Sequence, residues 1–396
     1  MAQQKIIVHN KSEKPDNVVE KENFIIEECE KIEKELPSWL RGYFMYLKNN
    51  DLPQTRLSYL RDVRFFFRYL VNETDLSQKY ESIKQIQPED LDAISSMDVN
   101  LFIDYCRRYK VVSEDGGTTT VYENKNASLS HKKSAVSVLF KYLYRDGFVE
   151  KNITDGFDPI RMPKPGEREI KALQDDEVMK MLDAVSTGEG LTDKEKDYWE
   201  KTKYRDKLIL LILVTYGLRL SELQQLNISS FNFSRGEFKI YRKRGKESIM
   251  PVNNTISQAF SDYVNLERLP EDALDEQSKD ALLLSLQGRR LTDRQIREIV
   301  KKYTSISMGT SRRQGYSPHK LRATAATSLI GRGNSIYDVQ ELLDHDNVTT
   351  TQLYAAHKLN TKRQLIKDFE WGEDLEGYDK NAAKNMADHS DTENDK

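Results

Sequence analysis

The sequence predicts a mainly α-helical chain of two domains, the second carrying a small antiparallel β-sheet. Three observations predict it. Between residues 36 and 157 apolar side chains recur at three- and four-residue spacing. Pro159, Pro163 and Pro165 then fall close together, and no helix sustains that run, because each proline lacks an amide donor and restrains the residue before it. Beyond them helical periodicity resumes to about residue 369, broken by one alternating stretch. There Phe238 and Ile240 alternate with polar residues, Lys243–Arg244–Gly245–Lys246 supplies a turn, and 249–252 returns.

Residues 1–35 read as a charged extension with room for one short amphipathic helix around Phe24, Ile25, Cys29 and Ile32. The first domain, 36–157, is expected to hold about four helices and no strand, at 38–47, 55–71, 100–109 and 128–146. Gly116 and Gly117 mark a loop between the last two. Residues 158–170 form the linker and 171–370 the second domain. The acidic end, 371–396, is expected to be disordered.

A chain of 396 residues exceeds one ordinary core, and 38% hydrophobic residues suffice to bury two. Two cysteines, Cys29 and Cys106, give neither a disulfide framework nor metal-ligand spacing, which fits a reducing cytosol. The longest apolar run, 208–214, is far too short for a membrane span. The first ten residues carry no long apolar stretch of the secretory kind. A cytoplasmic protein, working at the nucleoid, is the expectation.

The net charge of -3 conceals an uneven distribution. Residues 1–35 carry 6 basic against 9 acidic side chains, and 371–396 carry 3 against 8. Taking both ends from the 61 basic and 64 acidic residues of the chain leaves 52 and 47, a surplus of five positive charges. That is compatible with phosphate contact and equally with many ordinary enzymes.

Four separated pieces of the second domain carry candidate chemistry. In Tyr216–Gly217–Leu218–Arg219–Leu220–Ser221–Glu222, the glycine permits a sharp break, and Arg219 and Glu222 follow three apart on one helical face. Alone this is as readily a surface ion pair. The hairpin tip offers Arg242, Lys243, Arg244 and Lys246 to a DNA groove, although most such turns are merely solvated. In Ser317–Pro318–His319–Lys320–Leu321–Arg322, the serine suits an N-cap and the proline a first helical position. His319 and Arg322 then share a face near free amides, a setting made for phosphate. Last, Ile336, Val339, Leu342 and Leu343 form the buried stripe of a short helix ended by His345. Threonines 349–351 then cap a new helix presenting Tyr354. One tyrosine among 20 means nothing by itself.

Taken in order, Arg, hairpin Lys, His-x-x-Arg, His and Tyr resemble the tyrosine recombinase or phage integrase family, and within it the Xer-type enzymes. In the first domain, Ser130–His131–Lys132–Lys133–Ser134–Ala135 through Phe140–Lys141–Tyr142–Leu143 resembles the last helices of the family's SAM-like core-binding domain. The resemblance implies two phosphate-clamping arginines, Arg219 and Arg322, and a hairpin lysine at Lys243, with Lys246 as rival. It implies the family histidines at His319 and His345, the nucleophile at Tyr354, and a supporting acid at Glu222. Lys132, Lys133, Arg242, Arg244 and Lys246 are the expected DNA contacts. Three departures stand out: Ala323 where relatives often have His, Asp344 where they often have Gly, and His357 one place later than usual.

The implied activity is cleavage and rejoining of DNA through a 3′-phosphotyrosine bond, in integration, excision or dimer resolution. The implied partners are double-stranded DNA with paired half-sites and a homotetramer spanning two sites, with accessory or directionality proteins in reserve and no membrane. Because the exchange is nearly isoenergetic, no cofactor is expected, and no Gly-x-x-x-x-Gly-Lys-Ser/Thr phosphate loop occurs. Two rivals remain: relaxation of DNA as by type IB topoisomerases, and a catalytically inactive DNA-binding accessory protein.

Overall fold

The structure, a computed structural model, describes residues 14–113, 116–162, 171–242 and 246–344. These form two compact units, the first of 14–162 with the described hairpin-tip residues of 241–248 grouped to it, and the second of 171–240 and 249–344, which holds the body of that hairpin. Both are mainly helical with a small antiparallel sheet. Among the described residues no helix is long and apolar enough to cross a membrane.

The first unit runs α1 (Asp16–Glu35), α2 (Arg41–Asn50), α3 (Pro53–Glu73), α4 (Pro88–Asp92), α5 (Ser96–Tyr105), β1 (Arg108–Val112), β2 (Thr119–Glu123) and α6 (Asn126–Arg145). Its centre is α3, whose Leu60, Val63, Phe66 and Phe67 are fully buried against Phe102 of α5 and Phe140 of α6. The segment read as a charged extension belongs to this core. Cys29 and Ile32 of α1 are buried beside α3, and Arg56 of α3 bonds Glu33.

The helix expected over 100–109 stops at Tyr105, and an antiparallel ribbon follows, so this unit is not all-helical. Tyr109 of β1 pairs with Tyr122 of β2, their rings stacking at 5.2 Å, and Tyr109 also stacks on Tyr105. Aromatics at 102, 105 and 109 mimic helical spacing, but the ribbon meets the same partners with an alternating backbone.

The second unit runs α7 (Asp175–Thr187), α8 (Asp193–Trp199), α9 (Lys203–Tyr216), α10 (Leu220–Gln224), β3 (Phe231–Asn232), β4 (Glu237–Tyr241), β5 (Glu247–Pro251), α11 (Asn254–Leu266), α12 (Asp293–Ser307), α13 (Pro318–Gly331) and α14 (Ile336–Leu343). The expected hairpin is present as β4 and β5, with Phe238, Ile240 and Met250 buried, and β3 adds a third strand. From Leu208 to Leu213 helix α9 is apolar on all sides, and these residues are buried among α7, α11 and α13. A helical stretch without a polar face must lie at the centre of its domain, and this one does.

Around that core, polar ties fix the outer elements. Arg312 donates from Nε and Nη2 to both carboxylate oxygens of Glu195 at 3.0 and 2.9 Å, joining the start of α8 to the segment after α12. This pairing, helped by the Thr192 cap, holds the Glu195 pKa down at about 2.

Candidate active site

Helix α9 ends in a turn that only glycine can make. Gly217 adopts φ 59°, and a β-carbon there would lie 2.6 Å from Leu343 and 3.3 Å from Ala325. Backbone sterics and crowding therefore exclude other residues at once. The close approach lets α14 pack over the turn, and the next residues start α10 with Arg219 as its N-cap residue.

Arg219 and Glu222 form more than a surface pair. The Glu222 side chain is buried; it accepts from the Arg219 backbone N–H at 2.7 Å and from Nη1 at 2.8 Å. Arg219 reaches onward to the end of α14, where Nη2 donates to the Asp344 carbonyl at 2.7 Å and Nη1 approaches the Asp344 carboxylate at 3.4 Å. Its side chain keeps 31% exposure, so it faces solvent across this cradle.

Arg322 arrives from α13. Ser317 occupies the N-cap and Pro318 the first turn, as the sequence implied, although the serine hydroxyl makes no capping bond. Arg322 is buried and donates to the carbonyl of Gly217 at 2.7 Å and to that of Leu343. Both guanidinium groups thus meet at the carboxyl end of α14, where unpaired helix carbonyls attract cations.

His319, on the first turn of α13, is exposed. Partial desolvation by its neighbours, and then the charges of Lys320 and Arg322, lower its pKa from the ordinary histidine value. The ring is thereby favoured in its neutral, proton-accepting form. Ala323 lies in a small apolar cluster with Ala326, Val339 and Leu343, which seats α14 on α13.

The remaining expected residues divide sharply. Lys243, Arg244, His345, Tyr354 and His357 lie outside the described residues. Lys246 is exposed at the hairpin, whereas Arg242 is buried, its amide closing the turn onto the Lys246 carbonyl at 2.8 Å. In the first unit Lys132 pairs with Asp62 at 2.8 Å and lies over the Phe65 ring. Lys133 donates to the carbonyls of Phe157 and Asp158, pinning the chain as it leaves the unit. His131 also bonds Asp62, at 2.7 Å. Sequence reasoning did not foresee these internal ties, nor that Asp344 and the Leu343 carbonyl would partner the arginines. Its one clue was the unusual Asp344.

The sequence profile of the phage integrase family matches residues 171–361. Tyrosine recombinase XerC of Pseudomonas syringae pv. syringae (strain B728a) is 30% identical over 283 residues, covering 69% of this chain and 87% of that protein. The chain belongs to the tyrosine recombinase family. It is accordingly a tyrosine-type site-specific recombinase, and the order of motifs now has its family context. The recombinase fold extends through both units. XerH site-specific recombinase bound to palindromic difH substrate, in a post-cleavage complex, aligns with a TM-score of 0.56 at 19% identity, over 87% of this chain and 89% of XerH. A lambda integrase tetramer bound to a Holliday junction aligns with a TM-score of 0.53 at 16% identity, over 80% and 76%.

Proposed function

We propose that this recombinase cuts and rejoins duplex DNA by transferring a backbone phosphate to Tyr354. The observation that carries the reading is the meeting of Arg219 and Arg322 on the Leu343 and Asp344 carbonyls. Those residues immediately precede His345, and Tyr354 follows nine positions later. Two guanidinium groups so placed suit the charge that grows on the non-bridging oxygens in the transition state.

In the proposed reaction the Tyr354 oxygen attacks phosphorus, the P–O5′ bond breaks, and a 3′-phosphotyrosine forms. Neutral His319 takes the phenolic proton, His345 hydrogen-bonds the phosphate, and Lys243 protonates the departing 5′-oxygen, with Lys246 as the alternative donor. Glu222 holds Arg219 in place. A 5′-hydroxyl then reverses the step and joins the strands, so the exchange requires neither ATP nor metal. By analogy with XerH on its DNA and the lambda integrase tetramer, four protomers would act on two paired half-sites. Integration, excision and dimer resolution all use this step.

Covalent trapping on a nicked suicide substrate tests the proposal. The parent chain should form a covalent adduct, and Tyr354→Phe should form none while binding the half-site nearly as well. An adduct that persists in the variant places the nucleophile elsewhere.

A further inference from the structure

Asp344 occupies its position against two local costs. It is the sole non-glycine with positive φ among the described residues, at 52°, a left-handed region that glycine enters more readily than any L-residue. It also sets a carboxylate at the carboxyl end of α14, where the helix dipole favours cations. Glycine would avoid both, and asparagine the charge. What the carboxylate gains is Arg219, with Oδ2 3.4 Å from Nη1.

Arg219 therefore faces two carboxylates with unequal hold. Glu222 is buried and bonds both the guanidinium and the backbone of Arg219. The Asp344 side chain retains 24% exposure and makes the longer contact. A phosphate arriving at Arg219 competes with both carboxylates for its N–H donors, and the longer, more exposed contact is the one it displaces more readily.

We propose that the Asp344 carboxylate is an internal competitor for phosphate at Arg219, raising the DNA concentration needed to fill the site. The proposal rests on the assignment of Arg219 to the DNA phosphate. Because the competitor acts on the free protein, it weakens substrate capture more than it alters the bound-state rate. Phosphates that arrive without the rest of a half-site are thereby disfavoured.

The test measures covalent trapping on a suicide half-site against DNA concentration for the parent chain, Asp344→Asn, Asp344→Gly and Asp344→Glu. Removing the carboxylate should lower the half-saturating DNA concentration about fivefold, the scale of a partly exposed ion pair. The change in half-saturation should exceed any change in the saturated rate, and Asp344→Glu should stay nearer the parent than Asp344→Asn or Asp344→Gly. Inorganic phosphate should also inhibit the Asn and Gly variants at lower concentration than the parent. An unchanged or raised half-saturation in both folded variants, or a fall confined to the saturated rate, overturns the proposal. Absence of any Tyr354-dependent adduct in the parent instead defeats the catalytic assignment, so the two failures are separable.

Discussion

Arg322 donates to the carbonyl of Leu343 and Arg219 to that of Asp344, so successive peptide groups of one helix end hold two side chains that lie 103 residues apart in the chain. The arrangement depends on Gly217. Gly217→Ala should destabilise the protein by about 2–4 kcal/mol, combining left-handed strain with the clash against Leu343. Urea denaturation measures this. A variant as stable as the parent would show that α14 does not need the close approach.

Arg322→Ala should abolish measurable cleavage, and unlike an exposed catalytic arginine it should also cost stability. It leaves the Gly217 and Leu343 carbonyls without their donor in a buried setting, a loss of about 2–3 kcal/mol. Arg322→Lys should recover part of the stability and little of the activity, because one ammonium cannot span both carbonyls and a phosphate. Comparing melting curves with trapping yields checks both halves.

Lys320→Gln should raise the His319 pKa, since one of the charges holding it down is removed. NMR titration of the ring protons reads this directly. The sign for activity follows. If neutral His319 accepts the phenolic proton, the acid limb of the cleavage profile moves to higher pH in the variant. An acid limb that stays fixed while the ring titration moves would show that another group limits the step.

Glu195 predicts acid sensitivity of the second unit. Its folded pKa of about 2 lies below the ordinary carboxylate value of 4.5, so its contribution is complete above 4.5 and is lost as pH falls towards 2. Arg312→Ala should remove roughly 1–2 kcal/mol at neutral pH, after allowance for partial exposure. The difference from the parent should shrink in that acid window, as denaturation across pH would show.

Much of the site was legible because its parts are local. The glycine turn before Arg219, the Pro318 start of α13 and the alternating hairpin each follow from a few neighbouring residues. The β1–β2 ribbon was not, since Phe102, Tyr105 and Tyr109 satisfy helical spacing and only stacking on Tyr122 selects the strand. Helix α1 was underrated for a related reason. Its composition is that of a solvated segment, and a narrow stripe at Val18, Cys29 and Ile32 suffices to anchor it. The internal ties of the α6 lysines were not legible either, because sequence shows their charge but not Asp62 or the Phe157 carbonyl.

Leu208 to Leu213 of α9 are buried on every side, while α14 buries only Val339 and Leu343 fully and adds the half-buried Leu342. The helix end that receives both arginines is thus the more thinly packed of the two, and amide deuterium uptake should be faster along 336–343 than along 208–213.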